Sequence, residues 1–219
     1  QLDRSAFKTL FKGGETRRFF NMNIDLFIRS ACMIAVYIGF TTISARYGDL
    51  LLAVSSILMK LLLLFSYFTD GFAYAGEALV GKAVGACNHN ACHTVVRRLF
   101  MWGGVVSLLF VALYAIGGNA FMSLLTDDTS VLDTLSHYRL WTLLLPICGV
   151  ASFLWDGIYI GATAPRLMLL SMVISMCVFL VGYYFLIPLW GNHALWLSFL
   201  SYLACRGMVQ TCTRAKILP

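Results

Sequence analysis

The chain has 219 residues, of which 60% are hydrophobic and only 12% charged, and its formal net charge is +6. Soluble domains carry about 25% charged residues, so this composition, with a mean hydropathy of +0.81, excludes a soluble globular protein and places the chain in a bilayer. The positive charge does not point to nucleic acid: the basic residues border apolar runs, where anionic lipid head groups account for them, and no nucleic-acid partner is expected.

In chain order, the first residue is Gln1, with neither an initiator methionine nor a cleavable signal pattern, so the chain is expected to be a piece of a longer protein. Residues 1–22 read as a cytoplasmic linker. Leu2, Ala6, Phe7, Leu10 and Phe11 share one helical face while Arg4, Lys8 and Lys12 lie elsewhere, which suits an amphipathic helix at the membrane interface, ended by Gly13 and Gly14; a solvated linker is the plainer alternative. Residues 23–213 then carry six apolar runs, at 24–45, 50–82, 99–125, 138–163, 167–189 and 194–212. Each reaches about the 20 residues needed to cross ~30 Å of hydrocarbon. Residues 214–219 form a short cytoplasmic tail. The runs are too long and too continuous for barrel strands, and a spanning segment must satisfy its own backbone. The fold class is therefore all-α, a polytopic six-transmembrane-helix bundle. The second run overshoots a bilayer and reads as one bent helix with Gly71 and Gly76 as kink points. Residues 126–137 read as an ordinary external loop with capping Asp and Ser residues.

Basic residues near the ends of spans set orientation. Arg4, Lys8, Lys12, Arg17, Arg18, Arg97, Arg98, Arg166, Arg214 and Lys216 fall on one side of a six-span arrangement, and only Arg46 and Arg139 on the other. Both termini are therefore expected in the cytoplasm. Cys32, Cys148, Cys177 and Cys205 lie within spans, where a free thiol acts as a small apolar group, and no disulfide framework is implied. The loop residues Cys87, His89, Cys92 and His93 have the chemistry of zinc ligands but not the spacing of a structural site; no metal is expected.

Charges within the runs are the candidates for function, because each costs about 3 kcal/mol or more at the bilayer centre and normally faces a cavity or another charge. Asp25 and Arg29 stand four apart on the first span, placed for a local ion pair or a cytoplasmic gate. Lys60 is about ten residues into the second span, facing a cavity or snorkelling outward. Asp70 and Glu77 are seven apart and so near one helical face, amid Gly71, Ala73, Ala75, Gly76 and Ala78, small residues that let a helix or a substrate approach. Packing accounts for the glycines but not the carboxylates, so Asp70 and Glu77 are read as lining a pathway, with Lys82 as an interfacial anchor. On the fourth span Asp156 follows Pro146, which frees a backbone carbonyl and permits a bend. Asp156 is a further pathway candidate, the alternative being an interfacial partner for Arg166.

Three segments taken together carry a family resemblance: Asn23-Ile-Asp25-Leu-Phe-Ile-Arg29-Ser30, then Asp70-Gly-Phe-Ala-Tyr-Ala-Gly-Glu77-Ala-Leu-Val-Gly81, then Trp155-Asp156-Gly157-Ile-Tyr-Ile-Gly161-Ala-Thr163. Their order and span positions resemble the multidrug and toxic compound extrusion (MATE) family, in particular the branch typified by DNA-damage-inducible protein F. The resemblance covers essentially the whole chain. It implies one lobe, the second, of a twelve-helix transporter in a bacterial inner membrane. It further implies an antiporter that exports organic, often cationic, compounds against inward flow of protons or sodium ions, with no cofactor beyond that coupling ion. Asp156 matches the family's acidic position on the tenth helix, and Asp70 and Glu77 match the branch's eighth-helix motif. The departure is the N-terminal six-helix lobe, absent from this chain, which in this branch carries the acidic residue most closely tied to coupling; that lobe is an expected partner.

Other classes fit less well. A lipid-linked oligosaccharide flippase of the same superfamily would favour a cationic cavity, which the in-span balance of Asp25, Asp70, Glu77 and Asp156 against Arg29, Lys60, Lys82 and Arg206 leaves open. A membrane enzyme or redox subunit lacks paired intramembrane histidines, since His89, His93, His137 and His193 fall in loops or at span ends. A non-transporting structural subunit has no use for four costly carboxylates in its spans.

Overall fold

The computed structural model describes residues 14–217. The expected amphipathic helix at 2–12 lies outside the described residues. Helix α1 runs Gly14–Ala45, α2 Asp49–Gly85, α3 His89–Leu125, α4 Thr129–His137, α5 Arg139–Gly161, α6 Pro165–Trp190 and α7 Asn192–Thr213, followed by a 3-10 turn at Arg214–Lys216. Among the described residues there is no strand, and the fold is all-α as the apolar runs require.

The helices end where local chemistry stops them. Gly48 takes φ 98° between α1 and α2, a left-handed backbone that glycine adopts without steric cost. Asn88 accepts a hydrogen bond from the Ala91 N–H and caps α3, while Pro165 starts α6 at a position where its missing N–H is no loss. Pro146 sits inside α5 without ending it.

Three boundaries differ from the sequence reading. Residues 14–22, expected as linker, are helical and continuous with the first span. The polar connection after the second span shrinks to three residues, so Arg97 and Arg98 ride on the third turn of α3 rather than in a loop. The stretch 126–137, expected as a loop, contains α4. Its capping residue is as anticipated, Asp128 accepting from the N–H groups of Ser130 (2.8 Å) and Val131 (3.4 Å). What the loop reading overlooked is that Val131 and Leu135, four apart, bury themselves against the bundle, an apolar pair on one helical face.

Among the described residues five helices, α1, α2, α3, α5 and α6, are long and apolar enough to cross a membrane by length and composition. The sixth expected span, 194–212, is α7, which falls outside that measure because polar side chains along it lower its mean hydropathy. Ser198, Arg206 and Gln210 are buried along it beside Trp196, Phe199 and Tyr202, so its polar side chains meet protein rather than lipid. In the larger of two apolar clusters the α7 rings interlock with α1, Phe40 standing edge-on to Trp196 at 4.8 Å; such pairs add about 0.5–1.5 kcal/mol beyond area burial.

At the centre α2 and α5 cross in backbone contact. A Cβ built on Gly157 would lie 2.0 Å from the Ala73 carbonyl oxygen, and one on Gly161 would lie 2.5 Å from that of Glu77. Gly157 and Gly161 stand four apart on α5, the small-residue spacing that lets two membrane helices approach until their backbones touch. Helix α3 packs against this pair on one side, and α6 and α7 pack together beside α5, with α1 lying on α6.

Candidate functional site

The α2–α5 crossing fixes the site, because Gly157 follows Asp156 and Ala73 lies between Asp70 and Glu77. Asp156 is thereby held within reach of α1 and α7. Its carboxylate pairs with the Arg29 guanidinium from α1, through Oδ2. Arg206 Nη2 of α7 donates to the same oxygen at 3.1 Å, and Gln210 Nε2 donates to Oδ1 at 3.0 Å. The Arg206 side chain is 2% exposed. Its guanidinium lies 5.6 Å from the centre of the Phe153 ring and 5.8 Å from that of Tyr202, and Nη1 donates to the Tyr202 hydroxyl at 3.3 Å. Rings at that distance attract a cation, which offsets part of the cost of holding one away from water.

Asp70 is held differently. Its one direct partner among the described residues is Ser66, one turn earlier on α2, whose hydroxyl donates to Oδ2 at 3.3 Å. Asp70, Glu77 and Asp156 all face one cavity of about 530 Å³, together with Arg29, Arg206, Met33, Tyr37 and Phe153. By formal charge, three carboxylates meet two guanidiniums there, an excess of one acid. Buried atoms of the same cluster, Arg206 Nε and Gln210 Oε1, have no hydrogen-bond partner among the described residues, so the site keeps unused polar capacity next to its apolar walls, the makeup of a small-molecule pocket.

The cavity therefore gathers Asp70, Glu77, Asp156 and Arg29 from the residues singled out in the sequence. Two local pairings are corrected. Arg29 turns to Asp156 across the bundle rather than to Asp25 on its own helix, and Asp25 instead lines a separate cavity of about 260 Å³ with Asn21, Ile24 and Arg166. Asp156 takes Arg29 and Arg206 as partners, not Arg166. Lys60 is exposed on α2 and outside the cavity lining. Cys87, His89 and Cys92 line one cavity and His93 another; among the described residues no three metal-ligating side chains converge. The sequence reading weighed Arg206 only as part of a charge balance and passed over Gln210. The signal was present: Tyr202, Arg206 and Gln210 recur every four residues, one stripe of a helix.

Comparison with known proteins agrees with this architecture. The MatE family model matches residues 26–186. The chain is 37% identical over 201 residues to DNA damage-inducible protein F of Escherichia coli (strain K12), covering 92% of this chain and 43% of that protein. Protein DETOXIFICATION 42 of Arabidopsis thaliana is 23% identical over 168 residues, 77% of this chain and 33% of its own length. Among solved structures, a MATE in complex with MaL6 superposes with a TM-score of 0.69 at 18% identity, over 86% of this chain and 44% of that one. The inward-facing conformation of a multidrug resistance MATE family transporter of the MOP superfamily gives 0.67 at 14% identity, over 81% and 41%. The fold is that of a polytopic membrane transport protein. More particularly, the chain belongs to the MatE family, and it spans less than half the length of the relatives it matches.

Proposed function

We propose that this chain is the second lobe of a secondary exporter in a bacterial inner membrane, with both ends of the lobe in the cytoplasm. It moves organic, often cationic, compounds by alternating access, driven by inward flow of protons or sodium ions. The observation that carries this reading is the cavity in which Asp70, Glu77 and Asp156 outnumber Arg29 and Arg206. A net negative charge at membrane depth attracts a cation, and competition of drug and coupling ion for the same carboxylates links the two flows, since occupancy by one weakens binding of the other.

The other lobe of the full protein accounts for the surface beside the cavity. Ile34 and Ile38 of α1 and Leu63 and Tyr74 of α2 line it while remaining 48–71% exposed. The N-terminal six-helix lobe would close over these residues and complete the pathway. The same charge count argues against the lipid-linked oligosaccharide flippase: three carboxylates face the cavity against two guanidiniums, and a pyrophosphate would meet the acidic excess.

The test is efflux of ethidium from everted vesicles carrying the full-length parent, with proton and sodium gradients imposed separately. Efflux driven by one gradient and lost in Asp70→Asn is the expected result. No efflux under either gradient overturns the proposal and turns attention to an anionic substrate.

A further inference from the structure

A second charged cavity, of about 480 Å³, opens between the start of α3, the end of α5 and the end of α7. His93, Arg97 and Phe100 face it from successive turns of α3, and Arg214 reaches it from the 3-10 turn. Its floor is apolar: Phe100 lies against Trp155 with ring centres 5.0 Å apart, and the indole N–H is already committed to Thr211 Oγ1 at 2.8 Å. Among the described residues no carboxylate lines this cavity, and neither Arg97 nor Arg214 makes an ion pair. Two free guanidiniums over an apolar floor suit a phosphate attached to an apolar body, because guanidinium pairs with phosphate oxygens through parallel charged hydrogen bonds.

The level of the cavity selects among phosphate carriers. One turn beyond Arg98, Met101 and Trp102 are 56% and 54% exposed, and Leu108 and Leu109 continue the apolar face at 68% and 62%. A basic residue followed by an exposed tryptophan and then by leucines marks the boundary between head groups and hydrocarbon. We infer that His93, Arg97 and Arg214 form a binding site for the phosphate head group of an anionic phospholipid, drawn from the leaflet that the basic residues of the chain face. The glycerol and first methylenes rest on Phe100 and Trp155. The site is separate from the α2–α5 cavity, shares none of its residues, and does not depend on which ion or drug the transporter carries.

The test is native mass spectrometry of the full-length parent after reconstitution in equal parts of phosphatidylglycerol and phosphatidylcholine. The expected result is preferential retention of phosphatidylglycerol, falling roughly fivefold for each guanidinium removed in Arg97→Gln and Arg214→Gln. Arg98→Gln, next in sequence but off the cavity lining, keeps the wild-type preference. Thermal unfolding in phosphatidylcholine alone, equal for all variants, establishes that the fold is intact. Equal retention of both lipids, or a wild-type preference surviving in the double variant, overturns the site. Displacement of the lipid by inorganic phosphate, with equal thermal protection by phosphate alone, overturns the lipid assignment in favour of a soluble phosphate.

Discussion

Asp70 and Asp156 face the same cavity, yet the structure makes opposite demands on them. Asp156 pairs with two guanidiniums and accepts from Gln210, so its charge supports the fold as well as any ligand. Removing one partner of a buried ion pair costs about 3–5 kcal/mol, since the other charge is left uncompensated. Asp156→Asn is therefore expected to lower thermal stability markedly, together with export. Asp70 gives up only the Ser66 bond, worth about 0.5–1.5 kcal/mol. Asp70→Asn is expected to keep wild-type stability to within about 1 kcal/mol while export falls roughly tenfold or more, within the range of ordinary coupling energies. Lys82, exposed near the end of α2, is expected to be dispensable. Equal export losses for Lys82→Ala and Asp156→Asn at matched expression would sink that ranking. The three carboxylates of the cavity were legible as residues, because charge within an apolar run stands out. Their partners were not. Arg29 has an acid four residues away on its own helix, and nothing local says that it reaches instead across the bundle to a residue 127 positions later.

At the scale of the helix, the contact between α2 and α5 decides whether the site exists. With the Ala73 carbonyl 2.0 Å from where a Cβ on Gly157 would sit, Gly157→Ala can be accommodated only by separating two backbones. Overpacking of this kind costs about 1–3 kcal/mol. The expected outcome is a lowered melting temperature accompanied by loss of export, because the same separation pulls Asp156 away from Asp70 and Glu77. Gly71→Ala, where a Cβ meets nothing within 4 Å, is the matched control and leaves both unchanged. At the other end of the bundle, Asp128→Ala removes the cap of α4 and is expected to cost about 1 kcal/mol, read as earlier proteolysis between α3 and α5 with export retained. The spacing of Gly157 and Gly161 was visible in sequence as small residues on a span. Which helix they would meet was not, since close approach is a property of two surfaces.

At the scale of the whole chain, the interior is closed while the mouth of the cavity is open. The aromatic core joining α1, α2 and α7 is fully buried, whereas the residues of α1 and α2 at the cavity mouth remain exposed. Expressed alone in vesicles, this chain is expected to insert but to give no gradient-driven efflux; co-expression with the N-terminal half of the parent restores it. Efflux by the chain alone would show that the cavity needs no N-terminal lobe.

Sequence by itself determined the class of this protein, because the length of an apolar run against the thickness of a bilayer is a one-dimensional comparison. It likewise marked the charges that the membrane makes costly, and the resemblance carried by three short segments anticipated the family. Tertiary structure alone decided which charges meet. It set two arginines from different helices on one aspartate, left Lys60 outside, turned α7 inward as the polar spine of the lobe, and assembled Arg97 and Arg214 over a shared aromatic floor. The physical reason is that pairing energies fall off within a few ångströms, while the residues concerned are separated by fifty to more than a hundred positions along the chain. Only the packing of helices, set here by two glycines, brings them within reach.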